Sequence, residues 1–314
     1  MAQLEQLCAR MCLLTRAVWT DGLPAPLTRP MLRALLDAGA LHGLVLRAAP
    51  GVSGALLERA ERLLSRAKAV CLCLEAYAAK GYDVLLPEDA LWPRRLHALG
   101  AQMPQFLFVR GNVQLLARRA VAVAGSRLVP EETLAAARHV GRSLADEGLT
   151  LVCGGAQGVD TAVQSGLLEA GGSLVLVPAM PASQLPGWQT LSRALDEGRL
   201  LLVSDALPDD PFSPQRAIAR NHTIYALGEA ALVMAAREGV GGSWHGATDC
   251  LRGGYTPVFV PGQELDKMPG SRALHARGAL TLELSKPLGA QLFARQQMSL
   301  FTDDAEEGST CRRG

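Results

Sequence analysis

Two glycine-rich turns, each directly after an apolar run, are the residues best suited to hold a ligand. The first is Gly125-Ser126-Arg127, which follows the run 120–124, and the second is CGGAQGVDTA at 153–162. Glycine lets backbone amides approach a ligand with no Cβ in the way. A helix that begins after such a turn adds partial positive charge. Each turn could therefore hold a phosphate group, and the guanidinium of Arg127 could clamp its oxygens.

Neither turn matches an established nucleotide motif. GSR differs from the dinucleotide motif GxGxxG, and the sequence contains no P-loop GxxxxGK[ST]. The glycines could equally serve only to allow tight turns between strands and helices. Phosphate binding and a purely structural role both stay open at this point.

A third glycine-rich turn, GVGGSWHG at 239–246, lies between two further apolar runs. The segment 212–227 precedes it and contains Arg216 and Arg220, which are four residues apart and would share one helix face. No acidic residue lies in that segment, so we expect an open cationic face. Ligands of parallel sheets bind where the loops at the strand ends converge. The sequence therefore predicts one site made by three turns and this helix.

The pattern of strand, glycine turn and helix predicts a mostly parallel α/β sheet with right-handed crossovers. Residues 1–80 are predicted to be helical, with one helix beginning near Pro30 and another capped by Ser53. The acidic stretch near the end predicts a disordered tail. We expect a helical unit over 1–80, a sheet unit over 81–290 and a tail over 291–314. Strands are predicted at 82–86, 106–109, 120–124, 149–153, 173–177, 200–203, 230–235, 257–260 and 279–284, and a surface loop at 178–189.

The composition of the chain limits the classes of protein to which it could belong. The chain has 314 residues, 49% hydrophobic and 19% charged, with a formal net charge of +1. A large core is available, and any contact with nucleic acid must come from a local patch. The seven cysteines are an odd number, which predicts reduced core thiols in a cytoplasmic protein. No apolar run reaches 18 residues, so no membrane contact is expected, and neither a metal nor a cofactor is expected.

Taken together, the motifs resemble the DNA-processing protein A family (DprA, also called Smf) over roughly residues 20–284. The stretches that carry this resemblance are LWPRRL at 91–96, LFVRGN at 107–112, AVAGSR at 122–127, CGGAQGVDTA at 153–162, ARNHTIYAL at 219–227, GGSWHGA at 241–247 and VFVPG at 258–262. They are similar, in that order, to the family's YPxxL, its RGN segment, VGxR, SGxAxGID, RNRIIAGL, SGSxxTA and AVPG. Each motif is short, and their order and spacing carry the match.

The resemblance implies an extended Rossmann-like, doubly wound sheet preceded by a small helical domain of the sterile-alpha-motif type. It also implies that the protein is not an enzyme. The implied partners are single-stranded DNA, a RecA-like recombinase and a second copy of the chain, in DNA uptake, recombination or a related defence role. The resemblance implies DNA or phosphate contacts at Arg127, Gly154, Gly158, Asp160, Arg220, Asn221 and Ser243. Together with the residue patterns above, the predicted contacts are Gly125, Ser126, Arg127, Gly154, Gly155, Gln157, Gly158, Asp160, Arg216, Arg220, Asn221, His222, Gly241, Gly242, Ser243 and Trp244.

The chain departs from the family pattern at two places. His222 replaces the second arginine of the RNR motif, and Trp244 with His245 alters the third loop. Bases of a bound strand need ring surface as well as phosphate contacts, and Trp244, His245 or Tyr225 could supply it. Trp244 could equally be a core residue.

Two other functions remain open from the sequence. GGSWHGATD at 241–249 echoes the PGGxGTxxE motif of phosphoribohydrolases on the same superfold, with Asp249 in place of glutamate. The chain could thus be a nucleotide sensor or a nucleoside-monophosphate phosphoribohydrolase. A third possibility is a nucleophilic Cys153 activated by His222 or His245.

The DNA-binding interpretation predicts that free nucleotides are not turned over. Incubation with nucleoside monophosphates followed by chromatography should show no released base. Base release that disappears in Asp249→Asn would favour the phosphoribohydrolase instead.

Overall fold

The computed structural model describes residues 2–265 and 267–294. The predicted tail begins inside this range, but Leu292 and Phe293 are buried in the core. The sheet unit therefore extends further than the predicted boundary at 290. The rest of the predicted tail lies outside the described residues.

Four helices form the N-terminal part of the chain: α1 (Ala2–Leu14), α2 (Arg29–Asp37), α3 (Gly54–Leu64) and α4 (Ala67–Ala79). Ser53 caps α3 as predicted, because its Oγ accepts a hydrogen bond from the Leu56 amide at 3.3 Å. The first helix ends at Leu14. The sequence also did not predict the antiparallel pair β1 (Leu41–His42) and β2 (Val45–Leu46).

The core of the helical part extends into the sheet region. Its buried residues form one cluster with Phe106, Phe108 and Leu207 of the sheet region. The change from helices to strands near residue 80 is thus a boundary in secondary structure across a shared core. We propose a domain boundary near residue 80 only from this change in secondary structure.

A cystine joins two of these helices. Cys8 and Cys71 are disulfide-bonded, with their Cα atoms 6.0 Å apart. The prediction of reduced thiols is therefore wrong for this pair, because α1 and α4 pack side by side and bring together residues 63 positions apart. Cys12, Cys153 and Cys250 are free, buried thiols, as predicted, and Cys311 lies outside the described residues.

The remaining nine strands form one sheet. They are β3 (Asp83–Leu85), β4 (Leu107–Gly111), β5 (Ala120–Gly125), β6 (Thr150–Cys153), β7 (Leu174–Leu176), β8 (Leu200–Ser204), β9 (Ala230–Ala235), β10 (Val258–Pro261) and β11 (Leu280–Leu282). Their order is β11-β10-β9-β5-β6-β7-β8-β4-β3. Strands β5 to β11 pair in parallel, whereas β4 pairs antiparallel with β8 and β3 with β4. The doubly wound, mostly parallel α/β fold is confirmed.

Helices cover both faces of this sheet. They are α5 (Glu131–Asp146), α6 (Val159–Glu169), α7 (Trp188–Asp196), α8 (Pro214–Leu227), α9 (Gly242–Gly253), α10 (Pro269–Ala276) and α11 (Leu288–Leu292). Alternate strand residues enter two separate cores. One core joins the sheet to α5, α6, α7 and α11, and the other joins it to α8, α9 and α10. The predicted surface loop at 178–189 is only partly correct, because Ala179, Ala182 and Leu185 are buried and α7 already begins at Trp188.

The strand order reverses between β5 and β9. From β5 the chain moves to β6, β7 and β8 on one side, and then returns to β9, β10 and β11 on the other. The carboxyl ends of β5 and β9 therefore border the crevice in which this fold class binds ligands. None of the helices in the described part of the chain is long and apolar enough to cross a bilayer.

Candidate functional site

The first two glycine-rich turns are in direct contact, as the sequence predicts. Gly158 has a φ of +87°, and a Cβ there would lie 2.7 Å from both the Arg127 Cα and the Ser126 carbonyl oxygen. The Val159 amide donates to that same Ser126 oxygen at 3.4 Å. Only glycine satisfies both the backbone angle and the close approach. The second turn thus packs against the first and holds Arg127 at the end of β5.

Asp160 fills the position that an outside anion was expected to occupy. It lies in the first turn of α6 with an exposed fraction of 7%. Its Oδ2 accepts hydrogen bonds from the Gly154 amide at 3.1 Å and the Ala156 amide at 3.3 Å. The second turn therefore uses two of its amides on its own carboxylate. The amides of Gln157 and Gly158 make no hydrogen bond within the described residues, so these two remain for a ligand.

Arg220 of α8 lies beneath this turn, with an exposed fraction of 7%. Its Nη1 donates to the Val177 carbonyl oxygen at 2.8 Å. The guanidinium also lies against the Cα of Gly154, so that any Cβ at that position would collide with it. Gly154 therefore has to be glycine because an arginine side chain occupies the adjacent space.

Arg220 and Asp160 are a buried pair of opposite charges. The Asp160 carboxylate accepts from the Gly154 amide, and the Arg220 guanidinium lies against the Gly154 Cα. Burial raises the pKa of Asp160, and the positive charge of Arg220 opposes this change. Burial likewise lowers the pKa of Arg220, and the charge of Asp160 opposes that change. Each charge thus reduces the cost of burying the other.

The predicted open cationic face of α8 is wrong, because both arginines are used inside the protein. Arg216 is half-buried and donates to the carbonyl oxygens of Asp210 at 2.6 Å and Leu207 at 2.9 Å. Arg220 binds the carbonyl that follows β7. The helix lies against the carboxyl ends of the strands, where backbone oxygens without a ladder partner need donors. The sequence of α8 contains no acidic residue, and the negative charge near Arg220 is that of Asp160 in α6.

The same helix fixes the third glycine-rich turn. Asn221 donates from Nδ2 to the Gly242 carbonyl oxygen at 3.0 Å, and Tyr225 donates to that of Ser243 at 3.5 Å. Gly241 precedes α9 with a φ of +87° and supplies no capping side chain. The first amides of α9 have no hydrogen-bond partner among the described residues. This helix N-terminus, unlike the second turn, uses none of its first amides on a carboxylate of its own.

Two of the three rings expected to stack on bases are core residues. Trp244 is 5% exposed, Tyr225 is fully buried, and both belong to the core under α8 and α9. The structure therefore supports the core alternative for Trp244 and excludes Tyr225 as a stacking ring, because the α8–α9 contact encloses both side chains. Only His245 is exposed. His222 places its Nε2 3.3 Å from Oδ2 of Asp249, so its partner is a carboxylate of α9.

The arrangement excludes the nucleophilic cysteine. Cys153 is fully buried, and its Sγ accepts a hydrogen bond from Nε2 of Gln164 at 3.0 Å. Burial raises its pKa to about 12, so the thiolate is not formed near neutral pH. The described residues also contain no group of three or more His, Cys, Asp or Glu side chains that could hold a metal ion.

Of the three predicted site arginines, Arg127 is the one that faces solvent. It makes no hydrogen bond or salt bridge with the described residues, and its Cζ lies 5.7 Å from the ring centroid of Phe212. Leu128 beside it is 84% exposed and Phe212 is 40% exposed. The sequence analysis missed Phe212, although a phenylalanine between two prolines in a polar loop was a visible signal.

Comparison with known proteins agrees with this fold. The family model for DNA recombination-mediator protein A matches residues 83–291. No curated protein sequence matches the chain. The solved structure of DNA processing protein A from Streptococcus pneumoniae is 22% identical, with a TM-score of 0.65, over 90% of this chain and 95% of that one. The Helicobacter pylori protein, whose structure is described for its single-stranded DNA binding mode, is 23% identical, with a TM-score of 0.55, over 69% of this chain and 96% of that one. At these identities the two structures show the fold.

The buried charge pair predicts a pH-dependent loss of stability in Arg220→Met. At pH 8 this substitution should lower the free energy of unfolding by about 3–5 kcal/mol, because it leaves Asp160 ionised and buried without its cation. The pKa of Asp160 is raised in the folded state, so its ionised form opposes folding and its protonated form does not. The loss should therefore shrink as the pH falls toward about 4, the ordinary pKa of aspartate. Urea denaturation at pH 8 and pH 5 measures both values.

Arg127→Met is the matched control, because it removes the same charge from the exposed side of the same turn. It should change the free energy of unfolding by less than about 0.5 kcal/mol at either pH. Equal losses in the two variants, or a loss in Arg220→Met that does not depend on pH, would contradict the internal role of Arg220.

Proposed function

The chain belongs to the DNA recombination-mediator protein A family, and from that premise we propose that it binds single-stranded DNA along its three glycine-rich turns. The turns lie at the carboxyl ends of β5, β6 and β9, next to the crevice between β5 and β9. The description of the Helicobacter pylori relative concerns the same class of ligand. A role in DNA processing follows from family membership, and binding of a single strand is the specific proposal.

The observation that carries this proposal is the solvent-facing guanidinium of Arg127. The backbone of Arg127 is anchored by its close contact with Gly158. The guanidinium group of Arg127 has no hydrogen-bond or salt-bridge partner among the described residues. Guanidinium groups bind phosphate oxygens in bidentate fashion. The unpaired amides of Gln157 and Gly158 lie in the adjacent turn. Together they offer one phosphate a cation and backbone donors from two neighbouring turns.

The N-terminus of α9 supplies a second phosphate position. Its first amides have no partner among the described residues, and its helix dipole favours an anion. Asn221 holds this end of α9 against α8. A strand that passes from Arg127 toward Gly242 and Ser243 would thus meet two sets of unpaired amides.

The predicted contact residues therefore divide into two groups in the proposal. Residues that contact the strand are Ser126, Arg127, Gln157, Gly158, Gly241, Gly242 and Ser243. Residues that hold the turns in place are Gly125, Gly154, Gly155, Asp160, Arg216, Arg220, Asn221, His222 and Trp244. The second group would influence binding through the positions of the turns, because its polar groups are buried or already bonded within the protein.

We further propose that the bound strand is protected and passed to a RecA-like recombinase, and that the chain acts as a homodimer. These partners are the ones that the family resemblance implies. We propose no enzymatic activity. The carboxylate of Asp249, which the phosphoribohydrolase interpretation needs free, is bonded to His222 at 3.3 Å and also to Arg252.

Single-stranded DNA should bind more tightly than duplex, and Arg127→Ala should weaken that binding about 5- to 150-fold. This range corresponds to about 1–3 kcal/mol for a charge-assisted hydrogen bond. Loss of one phosphate contact should also reduce the slope of log K against log salt by about one unit. Fluorescence anisotropy with a labelled oligonucleotide at several salt concentrations measures the affinity and the slope.

Arg142→Ala provides the control for net charge. Arg142 is an exposed arginine on α5, well away from the turns, and its removal should leave the affinity within about twofold, as expected for a charge far from the ligand. If both substitutions weaken DNA binding equally, the affinity depends on net charge alone, and the proposed phosphate contact of Arg127 is wrong.

A further inference from the structure

A cleft lies between the helical part of the chain and the sheet, with a volume of about 510 Å³. One wall consists of residues 14–16 and 26–29, around the end of α1 and the start of α2. The other consists of residues 105–106, 205–207 and 210, next to β4 and β8. Sites for small molecules occur preferentially at such junctions and have volumes of roughly 300–1,000 Å³. The cleft therefore has the place and the size of a small-molecule site.

Apolar side chains line both walls of the cleft. Leu14 and Leu27 belong to the helical wall, and Phe106 and Leu207 belong to the sheet wall. All four are part of the core cluster that the helical part shares with the sheet, or pack against it. A ligand can therefore place a hydrocarbon segment on a surface that is already ordered, which reduces the entropy lost on binding.

One pair of charges in the cleft is already satisfied within the protein. Nη2 of Arg29 lies 3.5 Å from Oδ2 of Asp205, which also accepts a hydrogen bond from Oγ1 of Thr223 at 3.0 Å. The guanidinium of Arg29 donates in addition to the carbonyl oxygen of Gln102. These two charges hold the walls together and leave little for a ligand.

The second cation of the cleft, Arg16, has no such partner. It is exposed and makes no hydrogen bond or salt bridge within the described part of the chain. Its Cζ lies 5.1 Å from the ring centroid of Trp19, and this cation–π contact holds the guanidinium near the helical wall. A carboxylate is the group that a guanidinium binds best, in bidentate fashion.

The second anion of the cleft, Asp210, lies on the sheet wall. It is half-buried and forms no salt bridge with the residues that the structure describes. Burial raises the pKa of Asp210, and the charge of Arg216 only partly opposes this change, because Arg216 donates to backbone oxygens of the same loop. A half-buried carboxylate of this kind is stabilised by a cation that a ligand brings.

We propose that the cleft binds a small organic zwitterion whose carboxylate and ammonium groups are separated by an apolar segment. Arg16 receives the carboxylate, Asp210 receives the ammonium group, and the apolar side chains of the two walls enclose the segment between them. A ligand with only one charge would leave the other protein charge unpaired, and a neutral ligand would use neither. No residue of the three glycine-rich turns lines this cleft, so the proposal does not depend on DNA binding.

The test uses three probes that have the same carbon chain and differ in charge: ε-aminocaproic acid, hexylamine and caproic acid. Isothermal titration calorimetry of the full chain at neutral pH measures their affinities. The zwitterion, ε-aminocaproic acid, should bind about tenfold more tightly than either singly charged probe. Tenfold corresponds to about 1.4 kcal/mol, close to the lower end of the range for a hydrogen bond to a charged group.

Two substitutions assign each charge of the zwitterion to its partner. Arg16→Met should weaken the binding of ε-aminocaproic acid about tenfold and leave that of hexylamine unchanged. Asp210→Asn should weaken ε-aminocaproic acid by a similar factor and leave caproic acid unchanged. Arg33→Met is the matched control, because Arg33 is an exposed arginine of α2 that does not line the cleft, and it should change none of the three affinities.

Three results would overturn the proposed site. Equal affinities for the three probes would show that the cleft binds only the hydrocarbon chain. An affinity for ε-aminocaproic acid that neither Arg16→Met nor Asp210→Asn reduces would place the probe elsewhere on the protein. The absence of saturable binding of ε-aminocaproic acid would exclude the site altogether. None of these results bears on the proposed DNA function, which oligonucleotide binding by the same wild-type preparation measures separately.

Discussion

The buried guanidinium of Arg220 is the interaction on which the site depends. It binds the carbonyl that follows β7, lies against Gly154 and neutralises Asp160, whose carboxylate closes the second turn. A buried arginine without an opposite charge would be strongly destabilising, so α6, α8 and the turn between β6 and α6 have to be assembled together. Gly158 then packs on the backbone of Arg127. The exposed arginine is thus positioned by the buried one, through a single glycine-rich turn.

This arrangement separates cations that build the site from cations that can bind a ligand. With a net charge of +1, the chain as a whole exerts little long-range attraction on DNA, and Arg216 and Arg220 are already used on backbone oxygens and beside a carboxylate. What remains for a strand is local: Arg127 and the unpaired amides of two turns. Binding of this kind relies on position more than on long-range attraction.

The sequence predicted the sheet well because each buried strand is a short apolar run between glycines, a signal that needs no tertiary information. It also predicted that the three turns lie at one edge of the sheet, since parallel strands bring their carboxyl ends to that edge. It could not predict which side of α8 is covered, so Arg220 was expected at the surface and the position of Trp244 stayed open. Gly154, which leaves space for the guanidinium, looks like any glycine of a turn. The pairing of Cys8 with Cys71 depends on the packing of α1 against α4. The local sequence pattern does not predict that packing either.

Hydrogen–deuterium exchange of the full chain, with and without a saturating single-stranded oligonucleotide, tests the central claim most directly. The account predicts that the strand slows exchange at 126–128, 157–158 and 241–244. The amides of Gly154 and Ala156, which Asp160 already protects, should change little, as should α1 to α4. Protection confined to the helical part of the chain, with no change at the three turns, would contradict it.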